Sequence, residues 1–180
     1  MRSAGRYFLF TVSLFLLSAF TIASAQDTGF PVPARNPKQL FYLQRPANTN
    51  TLIYELNMEN GSLNRKNPIH VFWINYAGNG QTEELSDIQK KYAYGVKTTE
   101  LANNSFEFYL VAYKKLKLSL IEGEDKQFHA YTNVNDKRIL VDRIYLQVKG
   151  GSLFKPRIDY VSLKGIDTLT GSVVEEKIKL

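Results

Sequence analysis

A strict two-residue alternation through the second half of the chain constrains its fold more than any other feature. Phe106, Phe108 and Leu110 alternate with Glu107, Tyr109 and Val111, and Leu116, Leu118 and Leu120 alternate with Lys115, Lys117 and Ser119. Successive side chains of an extended strand point to opposite faces, so a period of two gives each segment one oily and one wet face. Helical apolar positions recur every three or four residues, which this pattern does not allow. Turn residues punctuate the segments at Glu122-Gly123-Glu124-Asp125, at Asn135-Asp136, and from Asp167 to Gly171. Between and after them the pattern predicts strands over 127–133, 138–149, 157–164 and 173–180, with a loop at Gly150-Gly151 closed by Pro156. Within the long segment Ile144, Leu146 and Val148 keep one phase that Ile139, Leu140 and Val141 do not share. That break predicts a bulge near Asp142. The charges of the last strand suit a sheet edge guarded against pairing with other chains.

The first half adds strands and one helix. Leu40-Phe41-Tyr42-Leu43 is a short apolar run, and Leu52, Tyr54 and Leu56 alternate with Thr51, Ile53 and Glu55. Asn60-Gly61 is a strong turn signal, because both residues tolerate positive φ. Ile69 to Ile74 reads as apolar on both faces, which predicts a central, covered strand. A helix is predicted over about 82–94, with Thr82 as N-cap and Glu83 and Glu84 in the first turn. Leu85, Ile88 and Tyr92 would form its apolar stripe against the sheet, and Gly95 would end it. The fold class is therefore mainly β. Strands spaced by roughly ten residues predict an antiparallel β-sandwich or flattened barrel of about ten strands with one short α-helix.

The N-terminus predicts export. Arg2 and Arg6 precede an uncharged run from Tyr7 to Ile22, which closes on Ala23-Ser24-Ala25, the small-x-small pattern of a signal peptidase site. The expected organisation is a signal peptide at 1–25, an extended lead-in at 26–38 bearing Pro31, Pro33 and Pro37, and one mainly-β domain at 39–180. Removing the leader leaves 180 − 25 = 155 residues and, with two arginines gone, takes the net charge from +6 to +4. A chain of that size buries roughly two-thirds of its unfolded surface, enough for a self-sufficient core. No cysteine is present, so disulfides and a lipid-modified N-terminus are both excluded. No transmembrane anchor is expected once the leader is removed, and the location expected is periplasmic or secreted. Asn60-Gly61-Ser62 and Asn103-Asn104-Ser105 match glycosylation sequons, which matter only in a eukaryotic source.

The chemical motifs fall short of a reaction. Thiol catalysis is impossible without cysteine, and neither Gly-x-Ser-x-Gly nor Ser-x-x-Lys occurs in a strand-to-helix context. His70 and His129 are the two histidines, far apart and without the spacing of a zinc site. His70 shares a strand face with Phe72 and Ile74, and His129 lies near Tyr131, so both read as boundary residues. Gly78-Asn79-Gly80 begins like a dinucleotide fingerprint, but Glu83 stands where the third glycine belongs, and the stretch reads as a turn. Glu55, Glu59, Glu107 and Asp159 are conceivable acids for a glycosidase, with nothing to single out a pair. No catalytic residue, no metal ligand and no cofactor is expected.

An aromatic and basic face remains. The chain has 11 Tyr and 11 Phe, and several tyrosines recur beside lysine and arginine in the alternating segments. The candidate face for a ligand or partner is Tyr109, Tyr113, Lys115, Lys117, Tyr131, Tyr145 and Lys149. A tyrosine offers a flat apolar body with a polar tip, and a lysine adds charge attraction. The function expected is a non-enzymatic, envelope-associated binding module that recognises a glycan, a lipid headgroup or an envelope protein. Basic residues are spread along the chain, which with export argues against nucleic acid. A carrier of a small apolar ligand inside a barrel cavity, lined by the Phe106 and Leu116 stripes, is the alternative. A carboxylate-based hydrolase is a further one.

Four stretches carry a family resemblance: 36–45, from Asn36-Pro37-Lys38-Gln39 to Arg45; 50–57, including Leu52-Ile53-Tyr54; 67–74, with His70-Val71-Phe72-Trp73; and 84–95, ending Tyr92-Ala93-Tyr94-Gly95. Together they resemble the family catalogued as domain of unknown function 4833, seen mainly in exported Bacteroidota proteins. The likeness extends through Gly165-Ile166-Asp167. It implies a bacterial envelope or secreted location, and it carries no catalytic or binding residues.

Overall fold

The computed structural model describes residues 29–152 and 155–179, with the backbone alone of Lys155. The expected signal peptide and residues 26–28 of the lead-in lie outside the described residues. The elements run β1 (Gln39–Gln44), β2 (Thr51–Leu56), β3 (Met58–Glu59), β4 (Ser62–Leu63), β5 (Ile69–Ile74), β6 (Thr82–Glu84) and α1 (Asp87–Tyr92). They continue as β7 (Val96–Leu101), β8 (Ser105–Leu110), β9 (Tyr113–Glu122), β10 (Phe128–Val134), β11 (Lys137–Ser152), β12 (Lys155–Asp167) and β13 (Val173–Lys179). The chain is mainly β with one short helix, and its large mixed sheet curls into a half-barrel.

The long strand β11 organises the sheet. Its first residues pair with β10 and its middle with β1, while β12 runs along the opposite edge. Three arms leave it: β1-β2-β5-β6, β10-β9-β8-β7 and β12-β13. Every pairing is antiparallel except β1 with β11, which is parallel (Tyr42↔Arg143). The expected bulge is present. The β11–β12 register shifts between Val141 and Arg143, which lets Ile139, Val141, Ile144 and Leu146 all face the core. The ring of Phe41 stacks on Tyr54 at 4.5 Å and on Phe108 at 6.2 Å, so the first two arms meet through the core. Phe106, Phe108, Leu110, Leu116, Leu118 and Leu120 belong to that core as packed residues. Gly165 permits the close approach of β12 to β11, because a Cβ there would lie 2.1 Å from the Leu140 carbonyl oxygen.

Turn chemistry follows the sequence. Asn60 and Gly61 both take positive φ and join β3 to β4, and Asn135 and Asp136 do the same between β10 and β11. Gly150 and Gly151 do not open a loop, however. Strand pairing continues through them to Ser152↔Lys155, past the position where Pro156 was expected to close one.

Two local expectations are corrected. The helix covers only Asp87–Tyr92, and Thr82–Glu84 instead pairs with β5 as an edge strand. Ser86 caps it: the Ser86 hydroxyl accepts from the Gln89 N–H, and the Gln89 side chain accepts from the Ser86 N–H at 2.9 Å. This reciprocal box satisfies two orphan donors where Thr82 would satisfy one. Ile88 and Tyr92 are 54% and 44% exposed, so contact with the core passes through Leu85 before the helix and Ala93 and Tyr94 after it. The second correction concerns β2 and β5. Strand β2 is buried on both faces between β1 and β5, whereas β5 alternates, with Ile69, Val71 and Trp73 inside and His70, Phe72 and Ile74 half-buried. The doubly covered strand is therefore β2.

Candidate functional site

The outer face of β8, β9 and β10 is set by the positions that alternate with the core stripes. Glu107 and Tyr109 on β8 lie opposite Ser119 and Lys117 on β9, and Tyr131 on β10 lies opposite Ser119. Arg138, at the start of β11, is the register partner of Asn133 and places its guanidinium 4.5 Å from the Tyr131 ring centroid. Such stacking fixes both groups, since the aromatic face attracts the cation. Lys117 reaches Glu107 at 3.3 Å.

Strand β13 closes this face into a groove. It pairs only with β12 among the described strands, and its far end returns to oppose β9 and β10. The groove has a volume of about 900 Å³. Lys115, Lys117, Arg138, Lys177 and Lys179 line it together with one carboxylate, Glu107, a balance of 5 − 1 = +4. The neighbouring carboxylate Glu176 is occupied by Lys137 at 2.5 Å and by the Asn135 amide at 2.8 Å. These contacts, Lys137 first, hold Glu176 below the usual carboxylate range, and the same pairing raises the Lys137 ammonium. Ser119, Thr132, Asn133, Asn135 and the Tyr113 and Tyr131 side chains complete the polar lining. Burial pushes the Tyr113 phenol up, so it stays neutral.

Four of the seven candidate residues come together in the groove: Tyr113, Lys115, Lys117 and Tyr131. Tyr109 adjoins them through its register pairing with Lys117. Tyr145 and Lys149 stand elsewhere, beyond the bulge in β11. Tyr145 packs against Phe30 at 5.8 Å and Tyr160 at 6.4 Å and donates to Gln147 Oε1 at 3.2 Å, and Lys149 pairs with Asp159 at 3.0 Å. Arg138, Lys177 and Lys179 are additions that the one-dimensional pattern did not single out. The first sits just after a turn. The others lie on a strand whose charges also suit an edge.

The remaining chemical groups have separate partners. His70 is bracketed by Glu55 at 3.2 Å and Glu84 at 2.8 Å, and Glu84 also meets Lys90 at 3.4 Å. His129 contacts Asp125 at 2.8 Å; the Gln127 backbone N–H, then His129, lower the Asp125 carboxyl. Glu59 accepts from Asn64, Glu107 binds Lys117, and Asp159 binds Lys149. The four conceivable acids are thus each engaged by a different partner. No group of three or more His, Cys, Asp or Glu is placed to hold a metal ion among the described residues. No helix among them is long and apolar enough to cross a membrane.

Fold and groove together define a mainly-β protein whose half-barrel sheet presents a basic, tyrosine-bearing cleft. A family model, domain of unknown function (DUF4833), matches residues 41–177, and the chain belongs to that family. No curated protein and no solved structure matches it.

Proposed function

We propose that this chain is an exported, non-enzymatic binding module that holds an anionic glycan in the groove between β9–β10 and β13. The observation that carries the reading is the +4 balance of charged side chains around one concavity that also presents the half-buried Tyr131. Clefts lined by one sign of charge concentrate counter-charged ligands. The Tyr131 ring supplies apolar surface for a sugar, and Ser119 and Asn133 supply donors and acceptors for its hydroxyls. The Arg2/Arg6 head, the apolar run and Ala23-Ser24-Ala25 support export to the periplasm or beyond.

The test is calorimetric titration of the protein with alginate, a polyuronate, and with neutral dextran. Alginate is expected to bind and to weaken steeply between low and physiological salt, as exposed charges are screened within ~8 Å at that ionic strength. A Lys115→Gln/Lys117→Gln/Lys179→Gln variant is expected to lose about tenfold in affinity, since three exposed ion pairs at roughly 0.5 kcal/mol each are removed. Equal binding of dextran, or unchanged alginate binding by the variant, overturns the reading.

A further inference from the structure

A second concavity shares none of the basic groove's lining residues. Arg45 follows the last residue of β1 and packs its guanidinium against two aromatic rings. The guanidinium carbon stands 5.4 Å from the ring centroid of Trp73 and 5.4 Å from that of Tyr94. Those rings meet edge to face at 5.0 Å, so the cation is held from two sides. Its Nε is buried and has no hydrogen-bond partner. The carboxylate-binding fork therefore falls to the two terminal nitrogens, since the planar guanidinium can offer two parallel N–H groups from that edge.

Arg45 forms one wall of a pocket of about 550 Å³, within the ~300–1,000 Å³ typical of small-ligand sites. The other walls are largely apolar, with Ala112, Leu146, Val148 and Ile158 prominent among them. Arg45 is the one charged side chain in this lining among the described residues. A single fixed cation over an apolar trough matches a ligand with one negative charge and a hydrocarbon body. A phosphate dianion would call for more than one cation.

We propose that this pocket binds a single-chain amphiphile headed by a carboxylate, the head forked onto Arg45 and the chain lying along Leu146, Val148 and Ile158. The site is independent of the glycan groove and stands or falls separately.

Trp73 is the chain's sole tryptophan and touches Arg45, so its emission reports on the head-binding end. The experiment titrates the protein with laurate below its aggregation concentration, and in parallel with dodecanol, acetate and dodecyl phosphate. Binding is followed by Trp73 emission and by calorimetry. Laurate is expected to bind saturably, at least tenfold tighter than dodecanol or acetate and no weaker than dodecyl phosphate. Arg45→Met is expected to lose at least tenfold for laurate while keeping the weak dodecanol affinity. Ala112→Phe, which fills the trough from a turn and leaves Arg45 in place, is expected to lose both ligands with its thermal melt unchanged. It serves as the decisive variant if Arg45→Met does not fold. Equal affinity for laurate and dodecanol, tighter binding of dodecyl phosphate, wild-type laurate binding by Ala112→Phe, or no saturable laurate binding each overturns the assignment.

Discussion

The Tyr54 hydroxyl donates a hydrogen bond to the main-chain carbonyl of Tyr94 at 2.8 Å, joining the interior of β2 to the segment that leaves α1. Tyr54 is wholly buried, and its ring lies on Phe41. Burial, and then the neighbouring Tyr94, push its phenol far above the ordinary value, so it remains a neutral donor at any pH at which the fold persists. Replacing it as Tyr54→Phe leaves a buried carbonyl without its donor. The expected cost is about 1–3 kcal/mol. Urea denaturation should show it as a lower midpoint with an unchanged slope. A wild-type midpoint would mean that Tyr94 finds another donor.

The Lys137–Glu176 pair ties β11 to the sheet's outer edge, and its pH dependence has a definite sign. The folded Glu176 carboxyl lies below its ordinary 4.5, so its contribution is present above that value and is lost as pH falls through the folded one. The folded Lys137 ammonium lies above its ordinary 10.5, so its contribution is present below that value and is lost as pH rises through the folded one. Both contributions are therefore complete between those two ordinary values. Glu176→Gln should lower Tm at pH 7 and make the decline of Tm on acidification shallower. Thermal melts at half-unit pH intervals measure both, and an acid limb identical to wild type contradicts the assignment.

Legibility in the sequence followed locality. Alternation over 106–120 declared the strands, and the Asn-rich turns declared the hairpins, because each depends on residues adjacent in the chain. The bulge at Asp142 was legible for the same reason: a core phase that slips within one strand demands an extra residue. The groove was half legible. Lys115 and Lys117 sit on a readable strand face, whereas Lys177 and Lys179 reach the same space only because β13 pairs with β12 and curls back, a relation no local pattern encodes. The parallel contact of β1 with β11, a hundred residues apart, was hidden likewise. The helix was misplaced for a different reason. Thr82 and Ser86 are both good caps, and competition from the open edge of β5 decided between them.

That competition can be measured. Ser86→Ala removes an oxygen that accepts from the Gln89 N–H, at an expected cost of about 1 kcal/mol. Thr82→Ala, in an exposed edge strand, should fall within about 0.5 kcal/mol of wild type. The same contrast applies to the apolar stripe. Leu85→Ala is expected to cost about 2–5 kcal/mol because Leu85 is 3% exposed, while Ile88→Ala, at 54% exposure, should be nearly neutral. Chemical denaturation of the four variants ranks them. Were Thr82→Ala costlier than Ser86→Ala, the helix would have to start earlier than Asp87.

Gly165 offers the sharpest test of the three-armed sheet. It pairs with Val141 of β11 on one side and Val174 of β13 on the other. An added Cβ would stand 2.1 Å from the Leu140 carbonyl oxygen and 2.6 Å from Ile139 Cγ2, against backbone that the β10 pairing already holds. No rotamer relieves a clash with a main-chain atom, so β12 must move away and take β13 with it. Gly165→Ala is therefore expected to cost about 3 kcal/mol, the upper part of the overpacking range. It should also weaken alginate binding, because Lys177 and Lys179 leave the groove with β13. Leu169→Ala, in the adjoining turn and 92% exposed, is the control and should change neither stability nor binding. If Gly165→Ala is as stable as Leu169→Ala, the close approach of β12 to β11 is wrong. If it is destabilised yet binds alginate as wild type does, β13 forms no wall of the binding groove.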